Sequence, residues 1–148
     1  MDGIEFLKSK NIDFRVIELA EEPRSAADVE RLYGCSLKQV LKTLLFIGEM
    51  PVLVVLQGDK RVNIEKLKQI TNQSTLRMAN PSEVKEITGY SIGGVTPLGV
   101  NGIKKIIDSK VFEEETVNIG SGKAIIGIEI KTNDLKEIFD GTIEEISE

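Results

Sequence analysis

The residue with the clearest chemical signature in this sequence is a lysine inside an apolar run. The run "VLKTLLFI" is typical of a β-strand, in which side chains alternate between two faces, so Lys42 shares a face with Val40, Leu44 and Phe46. Such a lysine either extends its ammonium to solvent near a strand end or points into a cleft, where its charge meets an anion or a carbonyl oxygen. Desolvation in a cleft would lower its pKa, and perturbed groups in clefts are functional candidates.

A glycine-rich loop is the second candidate. The segment "GYSIGGVTPLG", residues 89–99, combines four glycines and a proline with apolar side chains. Gly93 and Gly94 leave room for a ligand to approach the backbone. Successive amide N–H groups in such a loop form a concavity suited to an anion or a polarised carbonyl oxygen. The alternative is a tight surface connection without a ligand, and the motif alone does not choose between them.

The absence of histidine restricts the available chemistry. The 148 residues contain no histidine and one cysteine, Cys35. Ser-His-Asp and Cys-His catalysis need an imidazole base, and most zinc sites need histidine or several cysteines. Any catalysis must therefore use lysine, carboxylates, hydroxyls, backbone amides, water or groups of the substrate. We expect neither a metal nor a cofactor.

Two further polar segments are less specific. The segment "GSGK", residues 120–123, is too short for a phosphate-binding loop and precedes a strand, so a hairpin turn is the favoured interpretation. The segment "QGDKRVN", residues 57–63, leaves an apolar strand and carries Asp59 and Arg61. Asp59 is a turn residue, an ion-pair partner or a polar site residue, and the sequence does not decide which.

Size and charge narrow the class of protein. A chain of 148 residues suits one domain over residues 1–148. The net charge of −5 disfavours broad nucleic-acid binding. The charge does not exclude a local basic patch on the protein that binds one end of an RNA. Its candidate residues are Lys60, Arg61, Lys104, Lys105 and Lys123. No apolar run reaches the roughly 18 residues of a membrane span, and no secretory signal is apparent, so we expect a cytoplasmic protein without a membrane partner.

Local patterns predict an α+β fold. Polar caps predict the starts of three helices at Ser25, Asn63 and Asn80. Shorter helices are predicted near residues 2–10 and 133–141, the latter closed by Gly141. Two apolar runs around "GEMP" predict a hairpin, with residues 52–56 buried on both faces.

The strands follow no strict βαβ alternation. Later strands are predicted over residues 103–112, 115–120, 124–130 and 142–146, with "GSGK" as the turn between the second and third. The count is about seven strands. We therefore expect a mixed, partly barrel-like sheet surrounded by helices.

Four stretches in order resemble the YbaK/prolyl-tRNA-editing (ProX-like) family of aminoacyl-tRNA deacylases. They are "QVLKTLLF", "VLVVLQGDKRVN", "TGYSIGGVTPLG" and "GSGKAIIGIEI", and with "RMANPSEV" they span about residues 25–135. The resemblance implies hydrolysis of the ester of a mischarged tRNA, typically alanyl- or cysteinyl-tRNA(Pro), without a metal. It also implies a free-standing protein that acts on the 3′ aminoacyl end of tRNA, with a prolyl-tRNA synthetase as a further partner and no DNA.

The resemblance also assigns residues to the site. Lys42 would hold the ester carbonyl or a nearby ribose or phosphate oxygen, and amides of Gly93, Gly94 or Val95 would stabilise the oxyanion. The substrate's 2′-hydroxyl, rather than a protein base, would help the attacking water. The expected substrate-binding residues are Thr43, Asp59, Arg61, Ile92, Thr96, Pro97, Gly120, Ser121 and Gly122. The alternatives are a non-catalytic module that binds aminoacyl-tRNA ends or nucleotides, and a hydrolase of another small acyl ester.

Overall fold

The computed structural model describes residues 2–148, which form five α-helices, one 3₁₀ helix and eight strands. The helices are α1 (Gly3–Ser9), α2 (Ala26–Tyr33), α3 (Ile64–Thr71), α4 (Pro81–Thr88) and α5 (Thr132–Ile138), with the 3₁₀ helix at Ser109–Glu113. The strands are β1 (Arg15–Glu18), β2 (Leu41–Ile47), β3 (Pro51–Gln57), β4 (Arg77–Met78), β5 (Lys104–Asp108), β6 (Thr116–Lys123), β7 (Ile126–Lys131) and β8 (Thr142–Glu144).

The strands form two sheets, and the predicted α+β class is confirmed. The larger sheet has the order β4-β2-β3-β5-β8 and is mixed, because β5 runs parallel to both β3 and β8. The smaller sheet, β1-β7-β6, is antiparallel. A parallel bridge between Val40 and Asn118 joins the two sheets. The eight strands thus occupy two connected sheets and, over the described residues, form no closed barrel.

The centre of the larger sheet is buried on both faces, as predicted for residues 52–56, all of which are 1% exposed or less. On one face Val54 packs in a cluster with Leu67 of α3. On the other face Val55 packs in a cluster with Ile128 of the smaller sheet. The two sheets and their helices therefore bury apolar surface on both sides of β3.

The predicted helix starts are confirmed, and one predicted end is wrong. The side chains of Ser25, Asn63 and Asn80 each accept a hydrogen bond from the backbone amide three residues later. The last helix ends at Ile138, before Gly141. The chain turns away there because Phe139, which adopts an extended conformation, packs into the core cluster between the sheets.

Two predicted strand boundaries also change. The strand predicted over 103–112 ends at Asp108, and the chain continues as the 3₁₀ helix. The segment "GSGK" is not the hairpin turn, because it forms the second half of β6, with an irregular register between Gly120 and Lys123. The turn follows at residues 124–125. The hydroxyl of Ser121 donates to the Ile126 carbonyl at 2.6 Å, which ties the irregular segment to β7.

We expect Asp108→Ala to destabilise the fold. Asp108 is fully buried, and its Oδ1 accepts hydrogen bonds from the backbone amides of Ile146 at 3.0 Å and Ser147 at 3.3 Å. Alanine leaves both buried donors without this acceptor, so the free energy of unfolding should fall by about 2–4 kcal/mol, measured by urea denaturation. Asp108→Asn keeps a carbonyl acceptor and should lose less. Wild-type stability of the alanine variant would contradict this role.

Candidate functional site

A cavity of about 440 Å³ lies between β2, β6, α2 and the glycine-rich loop. Its walls bring together six of the residues that the sequence predicts for the site: Lys42, Thr43, Ile92, Gly93, Val95 and Gly120. The lysine and the loop are separated by about fifty positions in the sequence, and the fold places both on the wall of one cavity. The cavity is therefore the candidate functional site.

The open edge of β2 makes room for this cavity. Strand β2 pairs with β3 along its whole length, whereas on the opposite edge β4 reaches only Phe46 and Ile47. Beyond that edge the chain meets β6 through the bridge from Val40 to Asn118. The part of β2 that contains Lys42 and Thr43 therefore borders the cavity.

Lys42 is half-buried at the cavity wall. Its Nζ donates a long hydrogen bond of 3.5 Å to the carbonyl oxygen of Gly58. Burial lowers the pKa of Lys42, the positive charge of Arg61 lowers it further, and the negative charge of Asp59 opposes the shift. The site therefore holds a partly desolvated cation that is weakly engaged by the protein, which suits it to bind an oxygen of a ligand.

Backbone contacts hold the glycine-rich loop against β6. A Cβ atom on Gly120 would overlap the carbonyl oxygen of Val95, and one on Gly94 would lie 3.3 Å from the backbone nitrogen of Ala124. Gly93 has a φ of +88°, a conformation that favours glycine. The Gly94 amide donates to the Ser91 carbonyl at 3.0 Å. The Gly94 amide is thus already engaged, whereas Gly93 and Val95 line the cavity and are the remaining candidates of this loop for donating to a ligand.

Seven of the predicted site residues do not line the cavity: Asp59, Arg61, Gly94, Thr96, Pro97, Ser121 and Gly122. Thr96 is fully buried, and its hydroxyl accepts from the Leu98 amide at 3.2 Å. Ser121 ties β6 to β7, and Gly122 packs against the ring of Tyr90. Thr96, Ser121 and Gly122 thus support the cavity walls from outside the cavity. Asp59 forms an ion pair with Lys60 at 3.1 Å. The charges of Asp59 and Arg61 influence the cavity only indirectly, because they shift the pKa of Lys42 in opposite directions.

The cavity also contains residues that the sequence analysis did not single out. Glu22 lies in the wall, and its Oε1 is 4.0 Å from the position that a Cβ of Gly93 would occupy. Tyr33 of α2 lines the cavity as well, and burial raises its pKa. A sequence signal exists for Tyr33, because Val29 and Tyr33 are spaced to share one face of α2. Glu22 lies in an irregular segment without a pattern, so only the fold reveals its position.

Within residues 2–148, no group of three His, Cys, Asp or Glu side chains is placed to hold a metal ion. None of the helices over the same residues combines the length and apolar character needed to cross a bilayer.

Comparison with known sequences identifies a family. The model of the aminoacyl-tRNA editing domain matches residues 20–138. The proline–tRNA ligase of Pseudothermotoga lettingae is 34% identical over 110 residues, which cover 72% of this chain and 19% of the ligase. The uncharacterized protein YwhH of Bacillus subtilis is 33% identical over 126 residues, which cover 81% of this chain and 80% of YwhH. The chain thus spans about a fifth of the length of the ligases it matches.

Solved structures share the whole fold. The hypothetical protein APE2540 has a TM-score of 0.89 and 28% identity, with 98% of each chain covered. A candidate trans-editing enzyme for prolyl-tRNA synthetase has a TM-score of 0.86 and 25% identity, with 97% of this chain and 93% of that chain covered. Since the family model covers most of the sequence and these structures match it over nearly their full length, this chain belongs to the aminoacyl-tRNA editing domain family.

Proposed function

We propose that this protein is an aminoacyl-tRNA deacylase that acts in trans, in the cytoplasm, on the ester joining an amino acid to the 3′-terminal ribose of tRNA. The observation that carries the proposal is the cavity itself, in which a partly desolvated Lys42 and the backbone of Gly93 and Val95 line one space. Membership of the editing family supports the substrate class. The structural neighbour described as a candidate trans-editing enzyme supports action on a tRNA charged by another protein.

The reaction is an ester hydrolysis. A water oxygen adds to the ester carbonyl carbon, the bond from that carbon to the ribose oxygen breaks, and the ribose oxygen takes up a proton. The products are a free amino acid and an uncharged tRNA end. The vicinal ribose hydroxyl helps to position the water, so no imidazole is required.

The charge that develops on the carbonyl oxygen needs donors within the cavity. The amides of Gly93 and Val95 supply dipoles from a loop that is fixed against β6, and one such donor is worth about 3 kcal/mol in a transition state. The ammonium of Lys42 binds the carbonyl oxygen or an adjacent ribose or phosphate oxygen. Because the loop is held in place before the substrate arrives, little reorganisation is needed during the reaction.

Glu22 fits a role in binding the amino group of the substrate. An aminoacyl ester carries its α-ammonium on the carbon next to the carbonyl. If the glycine-rich loop binds the carbonyl oxygen, the ammonium therefore lies close to the cavity wall that this loop forms. The Glu22 carboxylate lies on that wall beside Gly93. Glu22 is exposed, and among residues 2–148 its carboxylate forms no ion pair or hydrogen bond. An ion pair with the α-ammonium would orient the ester toward the amides of the loop.

The amino acid released is alanine or cysteine, and the tRNA is that for proline. The relatives that carry this domain include proline–tRNA ligases, which supports the tRNA identity. Ile92 and Val95 line the partly open cavity, and we expect the space beside them to accept a short side chain and to exclude larger ones by volume. Exclusion by size is the means by which editing sites add discrimination that binding of a small apolar group, worth about 1–3 kcal/mol, does not supply.

A non-catalytic module that binds aminoacyl-tRNA ends is the second candidate. The net charge of −5 favours this candidate. A negatively charged protein attracts the tRNA phosphates only weakly, which suits a module that binds one RNA end through local contacts. Burial of Lys105 also removes one lysine from the surface patch expected from the sequence. Incubation with a molar excess of alanyl-tRNA(Pro) distinguishes the two, since the enzyme releases more alanine than there is protein and a binding module does not.

We expect Lys42→Met to lower the deacylation rate by about a hundredfold or more, because an ammonium that stabilises developing charge is lost. The measurement is release of alanine from alanyl-tRNA(Pro) at neutral pH. Lys38→Met, a change at an exposed lysine four residues away, is the matched control and should keep the wild-type rate. Equal rates for both variants would remove Lys42 from the mechanism.

The same substitution should change how stability depends on pH. Burial lowers the pKa of Lys42 in the folded state. Folding therefore costs free energy at every pH at which Lys42 is protonated in the unfolded chain, and this cost is fully present at neutral pH. Lys42→Met should therefore be more stable than wild type at neutral pH. This advantage should shrink as the pH rises from the lowered folded pKa through the ordinary lysine value of about 10.4. Urea denaturation across that range, with Lys38→Met alongside, measures the effect; a difference that grows with pH would contradict it.

We expect Glu22→Gln to weaken recognition of the free α-amino group. Wild-type protein should deacylate alanyl-tRNA(Pro) faster than N-acetylalanyl-tRNA(Pro), and loss of a charge-assisted contact should reduce that preference by about tenfold or more. Glu21→Gln is the matched control, because Glu21 pairs with Arg31 at 2.6 Å and does not line the cavity. If the preference survives in Glu22→Gln, the role is wrong even when the deacylase activity itself is present.

A further inference from the structure

A second cavity of about 390 Å³ lies on another side of the loop that forms the first. It is bounded by α1, residues 97–101, β5 and the end of α5, and its walls include Phe6, Lys10, Leu98, Lys105, Glu137 and Asp140. The mechanism proposed above uses none of these residues. The most unusual member is Lys105, a lysine on the inner face of the central sheet.

Lys105 is buried where an apolar residue is expected. It is opposite Leu53 in the register of β3 and β5, and its neighbour on the same face, Ile107, belongs to the core cluster between the sheets. The side chain of Lys105 is only 2% exposed, yet its Nζ lies 3.9 Å from the nearest carboxylate oxygen, on Asp140. Asp140 itself is 86% exposed.

The ion pair with Asp140 leaves the ammonium of Lys105 without a hydrogen bond. At 3.9 Å the two atoms are beyond hydrogen-bond distance, and no hydrogen bond from Lys105 Nζ occurs within residues 2–148. Its Nζ is not among the fully buried atoms that lack a hydrogen-bond partner, so the aliphatic stem is buried and the ammonium reaches the cavity that Lys105 lines. A cation held there without a hydrogen bond from the protein is available to a ligand.

The charges around the cavity define what the ligand carries. Two cations, Lys10 and Lys105, and two carboxylates, Glu137 and Asp140, line the space. A simple anion such as phosphate would gain from the lysines and be repelled by the acids. A molecule with one carboxylate and one ammonium matches both pairs. Apolar groups of Phe6 and neighbouring residues offer a surface for a short side chain.

We propose that this second cavity binds a free α-amino acid, with its carboxylate on Lys105 and its ammonium on Asp140 and Glu137. The proposal stands on the geometry of this cavity and does not need the deacylase activity. It also gives the glycine-rich loop contact with two ligands, because Ile92, Gly93 and Val95 border the first cavity and residues 97–99 border the second.

Isothermal titration calorimetry of the intact protein tests the charge requirement. L-alanine, L-proline and L-leucine are the zwitterionic probes, and acetate, methylamine and inorganic phosphate are the probes that carry one kind of charge. At least one amino acid should bind with a millimolar or tighter Kd. Acetate, methylamine and phosphate should each bind at least tenfold more weakly than that amino acid. Absence of amino-acid binding, or tighter binding of phosphate, overturns the proposal.

Variants locate the site. Lys105→Met should weaken amino-acid binding at least tenfold, whereas Lys104→Met, at the exposed neighbouring position on the same strand, should leave it unchanged. Asp140→Asn changes an exposed side chain and should also weaken binding, so it decides the matter if Lys105→Met fails to fold. If Lys42→Met abolishes binding and Lys105→Met does not, the amino acid occupies the first cavity and the proposal is wrong.

Discussion

The close approach of two backbones, at Gly120 of β6 and Val95 of the loop, is the constraint on which the candidate site depends. A side chain on Gly120 would overlap the Val95 carbonyl, and a Cβ atom on Gly94 would lie 3.3 Å from the backbone nitrogen of Ala124, just after β6. Because these positions lack side chains, the loop lies directly on the smaller sheet and faces β2 of the larger one. The width of the cavity is therefore set by contacts between main chains, which deform less than contacts between flexible side chains.

Two lysines occupy apolar faces of the same central sheet, and each is associated with its own cavity. Lys42 is half-buried and weakly bonded to the Gly58 carbonyl, and Lys105 is almost fully buried beside an exposed Asp140. Desolvation is the largest cause of a lowered pKa for both. Each charge is therefore assigned to a proposed ligand of the cavity that its lysine lines.

Sequence reasoning succeeded where the signal was local. Cap residues predicted the starts of α2, α3 and α4, and continuous apolar character predicted the buried strand β3. It failed where tertiary contacts decided the outcome. Packing of Phe139 into the core ended α5 before Gly141, and the hydroxyl of Ser121 kept "GSGK" within β6 instead of in the turn.

The sequence by itself determined the α+β class and the unusual position of Lys42, because these follow from residue types and their periodicity along the chain. The family resemblance was carried by four motifs in order. Only the tertiary structure decided that Glu22 joins the site, that Thr96 and Ser121 support it from outside, and that Lys105 lines a second cavity. The physical reason is that a cavity wall is assembled from segments distant in sequence, and the side of each wall that faces a ligand depends on packing between those segments.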